Sequence, residues 1–512
     1  MRDLVARSRA LRIGLAVISG VLFGLSFPTY SLGWLMFVAL LPLVFAAAWA
    51  GGWEAVLLGW LSNSVAWLMM APWVIRVMSH YGGLPYAVGV LIYIAMAIYL
   101  GIFGGLFAFF VHRLRLGDGL GRWLLLPLAW AAVEYARTYL LTGFPWNLIA
   151  TAIVDYTPLI QIDRVAGPYA TGALILVPGV TLGWLITARA PVTHRLFAVA
   201  GIVILGVVWP MTGLVAAKLI ARPTGEPAVT AALLQPNISQ EMRWDEANIA
   251  AIFDKMQSMT GEAVAHGAQI IIWPESTVPL AYSSTGFYRS YIESVSREHG
   301  VDIILGSIAD DPTRPSKLWN SAFLVSGGKT IGHYDKIHLV PFGEYVPLKK
   351  ALFFAEKLTH DVGDFEFGTN DTPLRGRMAY GPAICYEIVY PQIARTQVIH
   401  GAEVLVTITN DAWYDGTSAP EQHLAQARLR AIEDDRYLLR AATTGISAFV
   451  DPSGRLIQSL PMPSQGIIYA EFHPRHSTTP YVRFGDWFAF ASIAIVLGVV
   501  VAGWRRGAKV GP

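Results

Sequence analysis

The sequence predicts a membrane α-helical bundle of about eight transmembrane helices joined to a layered α/β domain. Three observations carry this. The 512-residue chain is 54% hydrophobic and only 14% charged, against the roughly 25% charged of a soluble domain, and its mean hydropathy is +0.46. The apolar character is uneven: long apolar runs fill about residues 11–219, residues 224–481 alternate as a soluble α/β protein does, and residues 487–504 are apolar again. Basic residues also recur at positions that give such a bundle one consistent orientation.

A bilayer core of about 30 Å takes about 20 apolar helical residues. Seven runs of that kind lie at about 11–27, 32–50, 53–75, 86–111, 123–142, 167–188 and 196–218, and an eighth at 487–504. Arg2, Arg7, Arg9 and Arg12 flank the first run, but it ends in "GLSFPTYS", which has no small-residue cleavage site. It is therefore read as a retained anchor. Short basic loops stay cytoplasmic. The N-terminal arginines, "HRLRLGDGLGR" (112–122), "RAPVTHR" (189–195) and "WRRGAK" (504–509) all fall on one side if eight spans are counted. Both termini are then expected in the cytoplasm and the soluble part on the outer, periplasmic-type face. The expected organisation is 1–220 for seven spans, 225–475 for the α/β domain and 486–505 for the last span. Within the spans, Glu134 and Arg137 share a helix face. They read either as a structural ion pair or as a contact to a lipid headgroup or to the outer domain.

In the soluble part, segments 228–237, 268–276, 301–307, 321–326, 378–387, 402–411 and 445–454 read as strands. Most are continuous apolar runs, as in strands buried on both faces. Helical patterns lie between them, for example at 245–266 and 421–440, the latter opened by a Ser418–Glu421 capping box with Pro420 in the first turn. A layered α/β sandwich fits this alternation.

Net charge is +2, so no nucleic-acid partner is expected. Cys385 is the only cysteine, which excludes an intrachain disulfide and a zinc site built on several thiolates. "GGKT" (327–330) lacks the earlier glycine of a phosphate loop, because Phe323 stands there. No cofactor and no metal are expected.

Glu275, Lys336 and Cys385 each sit at or near a strand end, where α/β folds collect their sites. A thiol with a base and a cation nearby can act as a covalent nucleophile. Taken singly, each reads more simply as core filler or solvated charge. The motifs alter that balance. "WPEST" (273–277), "YDKIHLVPFGEYVP" (334–347), "ICYEIVYP" (384–391) and "TNDAWY" (409–414) resemble the carbon–nitrogen hydrolase, or nitrilase, superfamily over about 225–475. The resemblance implies an αββα sandwich with Glu275 as general base, Lys336 as stabilising cation, Cys385 as nucleophile and Glu344 as a supporting carboxylate. With the spans added, and with "LTGFPW" (141–146) and "TPYVRFGDW" (479–487), the whole chain resembles the apolipoprotein N-acyltransferase family. That implies a bacterial inner-membrane enzyme. It would move an acyl chain from a phospholipid to the N-terminal amine of a diacylglyceryl-cysteine lipoprotein through a thioester on Cys385, with membrane lipid as its surroundings. A monomer is expected. The alternative is a membrane-anchored nitrilase-type amidohydrolase, with water as acceptor.

Further candidates are weaker. Trp244 and Trp413 read either as lining of the site or as packing. Phe353 and Phe354 in "KKALFFAEKL" (349–358) suggest an arm dipping toward lipid, against an ordinary amphipathic surface helix. Tyr386 and Glu387 flank the nucleophile; Glu387 either orients Cys385 or holds the following turn.

Overall fold

The computed structural model describes residues 2–114, 116–220, 225–244, 246–311, 313–341, 343–345 and 365–508. The chain divides into two compact units: one takes the chain up to Ile75, Pro85–Leu219 and everything from Phe484 on, and the other takes Arg76–Leu84 and Ile220–Arg483.

The first unit is helical. Each of the eight apolar runs falls on helix, but several helices are shorter than the run. The run at 32–50 breaks into Gly33–Leu35, Met36–Ala39 and Leu41–Ala48, with Pro42 in the first turn of the last piece. The run at 53–75 stops at Met70, ahead of Pro72, which disfavours helix at the residue before it. The run at 123–142 is α-helical over Leu125–Tyr139. Among the described residues three helices are long and apolar enough to cross a membrane: Tyr86–Arg113, Pro168–Thr187 and Val192–Ile220. A fourth, Gly52–Met70 with Trp73–Tyr81, qualifies only as a bent pair. The bundle therefore supports a membrane protein, while a count of eight crossings goes beyond these lengths.

Small residues let these helices approach. A Cβ on Gly59 would lie 2.2 Å from the Gly104 carbonyl oxygen, and one on Gly104 2.4 Å from that of Gly59, so both positions need glycine where the two helices cross. The Glu134–Arg137 pair is structural. Arg137 Nη2 lies 3.5 Å from Glu134 Oε1, the same oxygen accepts the Ile149 N–H at 2.8 Å, and Arg137 Nη1 donates to the Phe144 and Trp146 carbonyls at 2.8 and 2.6 Å. The two charges hold the turn that carries "GFPW".

The second unit is a four-layer sandwich. One six-stranded sheet has the order β12-β1-β2-β3-β4-β5 and the other β11-β10-β9-β8-β7-β6. The first is built from β1 (Val229–Gln235), β2 (Ile270–Trp273), β3 (Asp302–Asp311), β4 (Arg314–Ser326), β5 (Lys329–Asp335) and, at its far edge, β12 (Gly466–Phe472). The second holds β6 (Leu374–Arg375), β7 (Ala379–Ile384), β8 (Val404–Thr409), β9 (Leu438–Ala442), β10 (Ser447–Val450) and β11 (Leu456–Leu460). Strands β1, β2 and β3 run parallel, as do β7, β8 and β9.

Alternation along β1 shows how the layers form. Ala231 and Leu233 join Ile272, Ile304, Tyr380, Val406 and Phe449 in the core between the sheets. Ala232 and Leu234 face the other way, onto Ile252 and Met256 of helix Ile249–Ala265 and Ile292 of helix Gly286–His299. Both faces are buried, so the strand reads as one unbroken apolar run.

The structure corrects several expectations. The helix predicted over 421–440 is Ala419–Asp434; Asp435 turns left-handed at φ 53° and the chain re-enters the sheet as β9. The Ser418–Glu421 capping box does not form: Ser418 makes no side-chain bond to the helix N–H groups, and its Oγ instead accepts from Gln422 Nε2 at 3.3 Å. The helix predicted from 245 begins at Ile249. Strands β5, β6, β9, β11 and β12 were not among the predicted strands; most of β5 alternates exposed with half-buried positions, and the middle of β11 is exposed, so both lack the apolar run that marks the central strands.

Candidate active site

The polar residues at the strand ends converge. Glu275 follows β2, Lys336 follows β5, Cys385 follows β7 and Asn410 follows β8, all at the carboxyl ends of their strands, where open α/β sheets place their sites. Glu275, Lys336, Glu344 and Cys385 line one cavity of about 270 Å³.

Lys336 is buried, and its ammonium sits between two carboxylates. Nζ donates to Glu344 Oε1 at 2.8 Å and lies 3.7 Å from Glu275 Oε1. Burial works against the charge, but Glu344 and then Glu275 hold its pKa above the usual lysine value. The lysine is therefore a fixed cation rather than a proton carrier.

Glu275 is held at both oxygens. Oε1 accepts from Asn320 Nδ2 at 2.7 Å and Oε2 from the Asn410 N–H at 2.8 Å. Asn320 Nδ2 also donates to Glu344 Oε1 at 2.8 Å, and Glu344 Oε2 accepts the Val340 N–H at 2.8 Å. The backbone of β3 passes directly behind Glu275: a Cβ on Gly306 would meet the Glu275 Cα at 2.5 Å and the Pro274 carbonyl oxygen at 2.7 Å.

Cys385 has φ 53°, a left-handed backbone that costs a residue other than glycine on the order of 1 kcal/mol. Burial pushes its thiol pKa well up, Glu275 adds to that, and Lys336 opposes it. The resting sulfur is thus a neutral thiol, which could act as a nucleophile only with a base to take its proton.

Glu387 links the cysteine strand to the lysine loop. Oε2 accepts the Ile384 N–H at 2.7 Å. Oε1 accepts the Ile337 N–H at 2.7 Å, the His338 N–H at 3.0 Å and the Tyr334 hydroxyl at 3.0 Å. It holds the chain on either side of Lys336 and the residue before Cys385, so it does more than stabilise the following turn. Burial pushes its carboxyl up to about 7.

Among the other sequence candidates, Trp413 lines the cavity. Tyr386 is buried against Tyr390 and His338, with ring centroids 5.4 and 6.2 Å away, and is not among the cavity-lining residues. Trp244 ends the helix Gln240–Trp244, but its side chain lies outside the described residues, as does the whole of the expected arm at 349–358 with Phe353 and Phe354.

Sequence reading missed several contributors. Asn320 sits mid-strand with no motif around it. Arg243, buried beside the cavity, has its pKa pulled down to about 10 by burial while Glu275 supports its charge. The segment Arg76–Leu84, set between two apolar runs, supplies Val77, Met78, Tyr81, Gly82 and Leu84 to the lining. Tyr81 donates its hydroxyl to the Ala412 carbonyl at 2.9 Å and packs edge-on against Trp413. The sequence of that segment, "RVMSHYGGL", carries no motif that could have pointed to it.

Residues 230–479 match the carbon-nitrogen hydrolase family and residues 19–181 the apolipoprotein N-acyltransferase N-terminal domain. The α/β unit is accordingly a carbon–nitrogen hydrolase domain. An apolipoprotein N-acyltransferase of Geobacter metallireducens is 35% identical over 96% of this chain and 95% of its own. Another, of Methylococcus capsulatus, is 32% identical over 89% of each. The solved structure of an amidase from Nesterenkonia sp. gives a TM-score of 0.37 at 20% identity, covering 48% of this chain and 91% of that one. This chain belongs to the apolipoprotein N-acyltransferase family, and it is an N-acyltransferase.

Proposed function

We propose that the protein transfers a fatty acyl chain from a membrane phospholipid to the N-terminal amine of a diacylglyceryl-cysteine apolipoprotein, with Cys385 carrying the acyl group between them. The observation that supports this most is the single cavity lined by Glu275, Lys336, Glu344 and a neutral Cys385 in a chain of this family.

The shared cavity and the charges around it support the following roles. Glu275 takes the thiol proton as the sulfur attacks the ester carbonyl. The Lys336 ammonium, and backbone N–H groups after Cys385, stabilise the oxyanion. Collapse breaks the ester C–O bond, and Glu275 returns its proton to the departing lysophospholipid oxygen. In the second half Glu275 takes a proton from the attacking amine, the C–S bond breaks, and the sulfur leaves as thiol. Glu344 keeps Lys336 charged and placed. The ester already carries the activation, so transfer needs no nucleotide.

The eight apolar runs and the basic loops support eight crossings, cytoplasmic termini and a catalytic domain on the periplasmic face of the inner membrane. That placement lets lipid-anchored donor and acceptor reach the site without leaving the bilayer. The protein acts as a monomer.

The test is a chase. Full-length protein is incubated with phospholipid labelled in its acyl chain, then given a diacylglyceryl-Cys peptide. The expected result is a thioester on Cys385 that passes to the peptide as an amide. No label on Cys385, label retained in Cys385→Ser, or release as free fatty acid in the presence of peptide would each reject the reading. Glu275→Gln is expected to lose acyl-enzyme formation.

A further inference from the structure

Behind Cys385 lies a fully buried polar network that the proposed chemistry does not use. His423, on the helix Ala419–Asp434, places Nε2 3.0 Å from the Cys385 carbonyl oxygen. Its Nδ1 lies 3.1 Å from Arg440 Nη2 and 3.1 Å from Asp411 Oδ1. Arg440 Nη2 also donates to Asp411 Oδ2 at 2.7 Å, and Asp411 Oδ1 accepts the Thr409 hydroxyl at 2.9 Å. His423, Asp411 and Arg440 are each 1% exposed or less.

The network selects one form of the imidazole. Burial and then the Arg440 charge lower the His423 pKa, so the ring is neutral. Nδ1 lies between the Arg440 N–H and Asp411 Oδ1, but Nε2 faces a carbonyl oxygen, which can only accept, so in a neutral ring Nδ1 is left bare to accept from Arg440. The proton therefore sits on Nε2 and is donated to the Cys385 carbonyl. A buried Arg–Asp pair is costly to assemble; here it fixes a tautomer.

The carbonyl it reaches belongs to the peptide between the nucleophile and Tyr386. In a trans peptide the carbonyl and the following N–H point in opposite directions from one rigid plane, and this bond is trans. Cys385 is left-handed, so local backbone preference does not hold that plane. We infer that His423 is a positioning residue for acyl transfer: by gripping the Cys385 carbonyl it aims the Tyr386 N–H at the oxygen of the reacting acyl group. This rests on Cys385 being the nucleophile.

The test compares two reactions of one thiol in full-length protein. Acylation by p-nitrophenyl butyrate develops an oxyanion; alkylation by iodoacetamide does not. Both rates are read per alkylatable thiol, so unfolded protein drops out of their ratio. His423→Leu and His423→Met remove the donor, and His423→Gln places an N–H near the Nε2 position. The non-donor variants are expected to lower the acylation-to-alkylation ratio by about 10²-fold, while His423→Gln stays within about tenfold of the parent; either non-donor that folds suffices. A non-donor ratio at the parental value, a His423→Gln ratio as low as the non-donors, or equal loss of both rates would overturn the inference. A parent acylated by the p-nitrophenyl ester and not by phospholipid would reject the donor assignment alone and leave the His423 comparison standing.

Discussion

Asn320 donates its amide nitrogen to Glu275 Oε1 at 2.7 Å while the same nitrogen serves Glu344. One side chain thus sets the separation of two carboxylates that flank Lys336. Asn320→Ala is expected to slow thioester formation on Cys385 about 10²-fold, part of what a well-placed base contributes. Asn320→Asp is expected to be worse, because it sets a third carboxylate against the first two. Single-turnover labelling with phospholipid measures both; parental rates would remove Asn320 from the machinery.

The buried thiol makes a pH prediction. With its pKa raised by burial and by Glu275, Cys385 carries little thiolate at neutral pH. Alkylation by iodoacetamide should keep rising with pH beyond about 8.5, the value of an ordinary thiol. A plateau near pH 7 would show an activated thiolate at rest.

His338 predicts an acid-side loss of stability. Burial, then Lys336, lower its pKa from 6.5 to about 4. Between those values the unfolded chain binds a proton that the folded chain does not, so stability falls as pH drops through the window. The effect is on the order of 2 kcal/mol. Glu387 tilts the other way between 4.5 and about 7, so the comparison is His338→Gln against the parent. The variant should lose less of its denaturation midpoint between pH 6.5 and pH 4.

Glu387→Ala leaves the N–H groups of Ile384, Ile337 and His338 without their carboxylate acceptor. Buried donors left unsatisfied cost about 1–3 kcal/mol each, so a loss of about 3 kcal/mol or more is expected in denaturant unfolding followed by tryptophan fluorescence. Acylation should fall as well, because Lys336 and Cys385 lose their common brace.

These residues differ in how far the sequence could reveal them. Glu275, Lys336 and Cys385 lie in short motifs at strand ends and Glu344 in the motif that follows Lys336, and an unbroken apolar run shows where a central strand stops. Asn320 and Arg440 lie within strands, and His423 lies within a helix, with no local pattern to mark them. Their roles exist only once β4, β9 and the helix Ala419–Asp434 are packed together. The same limit explains β9: "YLLRAA" suits helix or strand, and the left-handed Asp435 that separates the two is not a glycine. The cavity wall from Arg76–Leu84 was hidden differently, because "RVMSHYGGL" mixes charged, polar, apolar and glycine residues and carries no motif.

Gly306 has a consequence for how this protein tolerates change. It contributes no side chain, yet every atom a Cβ there would strike is backbone at or beside Glu275, and backbone at a strand end does not swing aside as a side chain can. Even alanine would displace the carboxylate it backs. A saturation mutagenesis scored by growth should therefore find position 306 as intolerant as the reacting residues, a silent site whose whole contribution is the room it leaves.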